Sequence, residues 1–119
     1  MSDFSVENQP VDAVLVMTTL PDNERSEALA RSLIAGGHVA CVHCSPRGTS
    51  IYRWNGEVET AREVTMVIKT VREHSAIVMQ QVHDEHPYEL PELLVVPVIG
   101  GSAKYLDWIA SESRVGTLI

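Results

Sequence analysis

The sequence has few aromatic residues and no long apolar run. Phe, Trp and Tyr together make up 5% of the chain. No segment approaches the ~18 consecutive apolar residues that a membrane-spanning helix requires, so we expect no membrane association. Residues 1–11 include Asp3 and Glu7, and they have neither the basic start nor the apolar stretch of a secretory signal.

Cysteine is also scarce, with only Cys41 and Cys44 in the chain. Side chains three positions apart on one strand point to opposite faces of a sheet, so a disulfide between these two is not expected if they share a strand. Proteins without disulfides are typical of a reducing compartment. The sequence therefore predicts a cytoplasmic protein.

Positive charge and catalytic motifs are lacking as well. The sequence has nine Lys and Arg residues and sixteen Asp and Glu residues, which gives a formal net charge of -7. A nucleic-acid-binding domain needs a basic face, so we expect no nucleic-acid partner. The chain contains neither a glycine-rich phosphate loop nor a Gly-x-Ser-x-Gly motif. We therefore predict no enzyme activity, no catalytic residues and no organic cofactor.

What is present is a regular succession of strand and helix patterns. Apolar, β-branched runs predict strands, spacing of four between apolar residues predicts helices, and Asn55-Gly56 predicts a type I′ turn in a hairpin. Gly100-Gly101 turns the chain, and Ser102 can cap a short third helix. The predicted strands are 12–19, 38–45, 50–54 with 57–60, 63–70 and 93–99, and the two main helices are 23–35 and 73–85.

This order predicts an α+β fold, a ferredoxin-like βαββαβ sandwich with a protruding β-hairpin and a short C-terminal helix. The domain covers residues 12–111, with a flexible N-terminal tail at 1–11 and a C-terminal tail at 112–119. Both main helices then lie on one face of an antiparallel sheet. The strands are too apolar for their other face to remain in water, so a partner subunit is the simplest cover.

Large side chains sit at the tip of the predicted hairpin. Tyr52, Arg53 and Trp54 directly precede the Asn55-Gly56 turn. These three residue types are enriched at protein interfaces, so the pattern favours a subunit contact. Stacking on a ligand and packing in the core remain open as alternatives.

A second notable segment runs from His86 to Glu92. His86 is a potential metal ligand or proton carrier, and Pro87, Tyr88 and Glu89 follow it directly. The alternative is structural: a histidine suits a helix C-terminus, and the prolines would then fix the loop that follows. Local chemistry alone leaves both interpretations open.

Several spaced motifs lie between residues 12 and 111. The most specific stretches are GTSIYRWNG at 48–56, HPYELPE at 86–92 and YLDWI at 105–109; shorter stretches are TLPD at 19–22, ACV at 40–42, EV at 63–64 and IKT at 68–70. In their order and spacing these motifs together resemble the CutA family, the divalent-cation tolerance proteins.

The resemblance implies a ferredoxin-like subunit in a tight homotrimer, in which hairpins extend the sheets of neighbours. It implies a cytoplasmic role linked to copper or another divalent metal ion. The alternative is a trimeric small-ligand sensor or adaptor like the PII proteins, without a metal role. In either case Tyr52, Trp54, Lys69 and Tyr88 are candidates for a subunit interface or ligand cleft, and Arg53 is a further candidate ligand contact.

The family's proposed copper ligands correspond to Met17, Glu85 and His86 in this sequence. Only His86 matches the family pattern. Met17 stands where the family has a cysteine and offers a thioether, which is still a soft ligand suited to Cu(I). Glu85 replaces a histidine with a hard carboxylate. These departures predict a weaker or less selective copper site.

Overall fold

A computed structural model describes residues 4–5 and 11–113. Of the two predicted tails, the described part consists of Phe4–Ser5, Val11, Glu112 and Ser113, and the rest lies outside the described residues. The strands are β1 (Phe4–Ser5), β2 (Ala13–Leu20), β3 (Cys41–Cys44), β4 (Gly48–Trp54), β5 (Glu57–Val71), β6 (Leu94–Pro97) and β7 (Gly101–Ser102). The helices are α1 (Asn23–Gly36), α2 (Ser75–Glu85), which follows a 3₁₀ turn at Arg72–His74, and α3 (Ala103–Glu112).

The main sheet is antiparallel and has the predicted ferredoxin-like arrangement. Its order is β3–β5–β2–β6, and β4 also pairs with β5. The apolar strand β2 is central, in register with β5 from Ala13↔Val71 to Leu20↔Val64. At the edge lies β6, which ends at Pro97. An edge position suits this proline because it cannot donate to a further strand.

Strand β5 differs from the prediction. The two short strands expected at 57–60 and 63–70 are one strand of fifteen residues. Its second half pairs with β2, and its first half pairs with β4 from Gly48↔Glu63 to Trp54↔Glu57. Asn55 (φ 49) and Gly56 (φ 79) close the hairpin with two positive φ angles, as a type I′ turn requires.

The strand predicted at 38–45 is shorter, and a break separates it from β4. Residues 45–47 are not paired as a strand, but Ser45 keeps the chain beside β5. Its N–H donates to the Thr65 carbonyl (2.9 Å), and its Oγ accepts from the Thr65 N–H (2.9 Å). The break at residues 45–47 therefore interrupts the strand without releasing the chain from the sheet.

Helices α1 and α2 cover one face of the sheet, as predicted. Asp22 caps α1 by accepting the Arg25 N–H (2.8 Å), and Gly37 ends it in the left-handed conformation (φ 83). The core on this face is formed by Leu29, Leu33, Val78 and Val82 of the helices against Val16, Leu20, Met66 and Ile68 of the sheet.

The third helix covers only one end of the opposite face. Ser102 Oγ accepts the Tyr105 N–H, which is the predicted N-cap. Leu106 and Ile109 pack against Ala13 and Val71, which belong to the face turned away from α1 and α2. Within the part of the chain that the structure describes, no helix is long and apolar enough to cross a membrane.

Candidate functional site

The face of the sheet opposite α1 and α2 is largely uncovered, and we call it the open face. Beyond the end that α3 covers, every residue on it is at least partly exposed within the subunit, with Leu94 at 54% and Val96 at 38%. It is formed by Leu15, Met17 and Thr19 of β2, Thr65, Val67 and Lys69 of β5, Cys41 and His43 of β3, and Leu94 and Val96 of β6.

Hydrogen bonds of His86 connect the loop after α2 to one end of this sheet. Its Nε2 lies 2.7 Å from the Thr19 carbonyl oxygen, and its Nδ1 accepts the Tyr88 N–H at 3.0 Å. Because Nδ1 accepts a hydrogen bond, the ring proton is on Nε2, which donates to Thr19. The β2–β6 pairing ends at Met17↔Leu94, so His86 supplies a donor where the strand partner has stopped.

This geometry explains the titration of His86. Burial lowers its pKa below the ordinary value, an effect to which the nearby His83 adds; the Thr19 carbonyl and the Glu63 carboxylate oppose it. Protonation at Nδ1 would also break the bond from the Tyr88 N–H. The neutral imidazole is therefore the form that holds the loop.

Tyr88 provides a second attachment, between the same loop and strand β5. Its hydroxyl donates to a Glu63 carboxylate oxygen at 3.0 Å, and its ring lies 4.9 Å from that of His86. Burial and the Glu63 carboxylate raise the pKa of Tyr88 to about 12, with a smaller contribution from Tyr52. The neutral phenol thus remains a hydrogen-bond donor at physiological pH.

The hairpin tip carries exposed aromatic residues. Tyr52 and Trp54 are opposite Glu59 and Glu57 in the β4–β5 register, and Trp54 is 51% exposed. The side chains of residues 57, 59 and 63 point to the same side of β5, because positions an even number apart share one face of a strand. Tyr52 and Trp54 lie opposite residues 59 and 57, so both aromatic side chains are on the same side of β5 as Glu63. Packing in the core of the subunit, one alternative for these residues, is therefore not observed.

Lys69 lies near the other end of the open face, under α3. Its Nζ is 3.0 Å from the Tyr105 hydroxyl and 5.3 Å from the centre of the ring. Trp108 stacks on Tyr105 with ring centres 5.5 Å apart. The hydrogen bond to Tyr105 is the main cause that raises the pKa of Lys69, so the lysine carries its charge at neutral pH.

The predicted copper ligands are oriented differently from one another. Met17 is half-buried on the open face, whereas Glu85 ends α2 and accepts a hydrogen bond from Gln81 (3.0 Å). Both ring nitrogens of His86 are engaged. Across residues 4–5 and 11–113, no three His, Cys, Asp or Glu side chains form a group that could hold a metal ion. As the subunit stands, these residues do not fit a preformed metal site.

The two cysteines lie on opposite faces of β3, as their spacing predicts. Cys41 belongs to the open face, while Cys44 packs against the helix-covered core; both are free thiols. Burial, with a contribution from Glu27, raises the pKa of Cys44. Cys44 is therefore a protonated core residue at neutral pH.

Sequence reasoning missed the partners of the loop. His86 bonds to Thr19, which is 67 positions away, and Tyr88 bonds to Glu63, which is 25 positions away. No local spacing signals either pair, because the fold brings the residues together.

Comparison with known proteins agrees with this geometry. Residues 14–112 match the family model described as CutA1 divalent ion tolerance protein. The chain belongs to the CutA family. CutA proteins are not known enzymes, which agrees with the lack of a catalytic motif in the sequence.

Curated CutA relatives cover nearly the whole chain. The divalent-cation tolerance protein CutA of Pectobacterium atrosepticum is 40% identical over 103 residues, covering 87% of this chain and 94% of the relative. The protein of the same description from Citrobacter koseri is 36% identical over 114 residues, covering 96% and 99%.

Solved CutA structures share the fold. CutA from Xylella fastidiosa superposes with a TM-score of 0.83 at 37% identity, covering 87% of this chain and 99% of the other. CutA1 from Oryza sativa gives a TM-score of 0.85 at 33% identity, covering 92% and 100%. A periplasmic divalent cation tolerance protein CutA from Archaeoglobus fulgidus gives 0.82 at 30% identity, covering 86% and 99%.

Proposed function

We propose that this CutA-family chain acts in divalent-cation tolerance as a homotrimer whose subunits cover one another's open faces. The observation that supports this most directly is the half-buried, mainly apolar open face. An uncovered sheet face of this kind marks an interaction surface. The exposed Tyr52 and Trp54 offer a second contact, on the same side of β5 as Glu63.

Light scattering tests the assembly. We expect a particle of three times the 13.1 kDa chain mass. Val67→Asp puts a charge on the open face and should dissociate the trimer, because burying an unpaired carboxylate is costly. Ile77→Asp is the matched control, since Ile77 is 50% exposed on α2 and not on the open face. A native monomer at micromolar concentration would refute the trimer.

Copper binding at His86, with Met17 and Glu85 as the further ligands that the family resemblance implies, is part of the proposal. It requires a rearrangement, because the subunit has no preformed site at these residues. A metal at His86 must displace either the bond to Thr19 or the bond from Tyr88. We therefore expect weak Cu(II) binding in calorimetric titrations, weakened further by His86→Ala. His83→Ala is the control, since His83 is an exposed histidine in the last turn of α2, just before the loop. Identical isotherms for the parent and His86→Ala would exclude His86 as a ligand.

A PII-like small-ligand sensor without a metal role is the second candidate. It is favoured by Lys69 beside Tyr105 and Trp108, which combine a cation with partly exposed aromatic rings at one end of the open face. Arg53 on the hairpin is a further cation. A thermal-shift screen separates the candidates: ligand at ~100 times its Kd adds about 2.7 kcal/mol, so stabilisation by anionic metabolites but not by metals supports the sensor.

We place this function in the cytoplasm. The support is the pair of free cysteines, with Cys44 in the core and Cys41 on the face proposed to be covered. Fractionation of the source cells checks this. Recovery of the protein in an extracytoplasmic fraction would contradict it.

A further inference from the structure

A cavity of about 290 Å³ lies between the start of α1 and the end of α2, outside the contacts of the open face. It is shallow enough for a ligand to enter from solvent and is close to the lower end of the usual volume range of ligand sites. Its lining residues are Leu20, Arg25, Ala28, Leu29, Glu85 and Pro87.

The uncharged residues that line this cavity are all apolar. Leu20 and Leu29 belong to the core and are only 1% and 4% exposed, so the accessible carbon surface comes from Ala28 and Pro87, which are exposed. Such a surface favours an aliphatic group because its burial removes apolar area from water. The apolar part of a ligand would therefore contact Ala28 and Pro87.

Opposite charges line the two sides of the cavity. Arg25 is in the first turn of α1, and Glu85 is the last residue of α2. The amino end of a helix favours a negative ligand group, and the carboxyl end favours a positive one. The end of α2 therefore favours the same positive ligand group as Glu85. At α1 the Asp22 carboxylate already caps the first turn, so attraction for a ligand carboxylate comes from the Arg25 side chain.

Both side chains retain capacity for a ligand. Arg25 Nε is 3.8 Å from Asp22, the one ion pair of Arg25 among the described residues, and this distance exceeds a hydrogen bond. Glu85 accepts from Gln81 through Oε2. A carboxylate has about four acceptor sites, so Glu85 can also accept from an ammonium group.

We propose that the cavity between α1 and α2 binds a small zwitterionic ligand of the amino-acid class, with its carboxylate on Arg25, its ammonium group on Glu85 and an aliphatic portion on Ala28 and Pro87. The site requires neither a metal ion nor a neighbouring subunit. It gives Glu85 a role that is separate from copper binding, so it can be tested independently of the proposed function.

The test is a titration of the isotopically labelled full-length protein, followed by amide resonances. The probes are leucine and δ-aminovalerate. Leucine carries its ammonium and carboxylate groups on the same carbon, whereas δ-aminovalerate carries them at opposite ends of its chain. Their singly charged analogues are isocaproate and isoamylamine for leucine, and valerate and pentylamine for δ-aminovalerate. We expect at least one zwitterion to shift the amides of Ala28, Leu29 and Glu85, with a Kd about tenfold below those of its analogues.

Variants assign the two charges. Arg25→Gln and Glu85→Gln should each raise the Kd about tenfold. Arg31→Gln and Glu89→Gln are matched controls at exposed positions outside the cavity lining, and they should leave the Kd unchanged. The proposal is overturned if both zwitterions leave these amides unshifted, if the analogues bind equally well, or if the cavity variants and the controls bind alike. A Glu85→Gln variant that affects only Cu(II) binding would also overturn it.

Discussion

The two faces of the main sheet are built from alternate residues of the same strands, yet they differ in what covers them. On one face Val16, Met66 and Ile68 are fully buried under α1 and α2. On the other, Met17 and Val67 are only half-buried, although they alternate with those core residues.

The sheet therefore contains more apolar residues than one subunit can bury. In a sheet with one solvated face, apolar and polar residues normally alternate along each strand, whereas β2 is apolar at every position from 13 to 17. The excess therefore indicates a cover that comes from another molecule.

The largest expected effect is on the covered face. Ile68→Ala should lower the free energy of unfolding by about 2–5 kcal/mol, because it leaves a cavity in a packed core. Leu94→Ala on the open face should cost under about 1 kcal/mol when measured in the monomeric Val67→Asp background.

Denaturant titrations of both substitutions, with and without Val67→Asp, provide the measurement. The cost of Leu94→Ala should increase in the trimer, while that of Ile68→Ala should not change. Equal costs of Leu94→Ala in the two backgrounds would mean that the open face is not covered by assembly.

A smaller effect is expected where the loop is fastened to the edge of the sheet. His86→Ala removes a donor from the Thr19 carbonyl and an acceptor from the Tyr88 N–H, and should cost about 1–3 kcal/mol. His83→Ala is the control, and should stay within about 0.5 kcal/mol because its side chain is exposed. Equal denaturation midpoints for the two variants would mean that the loop does not depend on His86.

The contribution of His86 should depend on pH. Its pKa is lowered in the folded protein, so the unfolded chain takes up this proton more readily. The stabilisation is complete above the unfolded pKa of about 6.5 and is lost as the pH falls through the folded pKa. The stability difference between the parent and His86→Ala should therefore shrink as the pH falls below about 6.5, whereas a constant difference would contradict the lowered pKa of His86.

The smallest expected effect concerns the hydroxyl of Tyr88. Tyr88→Phe removes its hydrogen bond to Glu63 and should cost about 0.5–1.5 kcal/mol. Glu63→Gln retains a carbonyl acceptor and should cost less. Thermal unfolding of the two variants measures the ranking, and the reverse order would indicate that the Glu63 charge contributes more than the bond itself.

Local signals in the sequence were enough to predict most of the fold. The Asn55-Gly56 turn and the Ser102 cap are each determined by residues a few positions apart. The continuity of β5 was missed because residues 57–60 are exposed on both sides and carry no apolar alternation. That half of the strand is defined by its pairing with β4, which periodicity alone does not reveal.

The candidate site was less predictable than the fold. The sequence drew attention to His86 and Tyr88, and the structure gives both of them specific partners. The identity of those partners depends on the tertiary arrangement of β2, β5 and the loop. For the same reason, sequence could not reveal that both nitrogens of His86 are occupied.

The continuous strand β5 also has a consequence for the order of folding. The β4–β5 hairpin involves only neighbouring residues, whereas β2 pairs with β5 across a much longer stretch of chain, as in Ala13↔Val71. Closing a long loop carries a larger entropic cost, and hairpins form within microseconds. We expect the hairpin to form first and to extend from Trp54↔Glu57 toward Gly48↔Glu63. Residues 64–71 then continue this strand, and β2 pairs with them later.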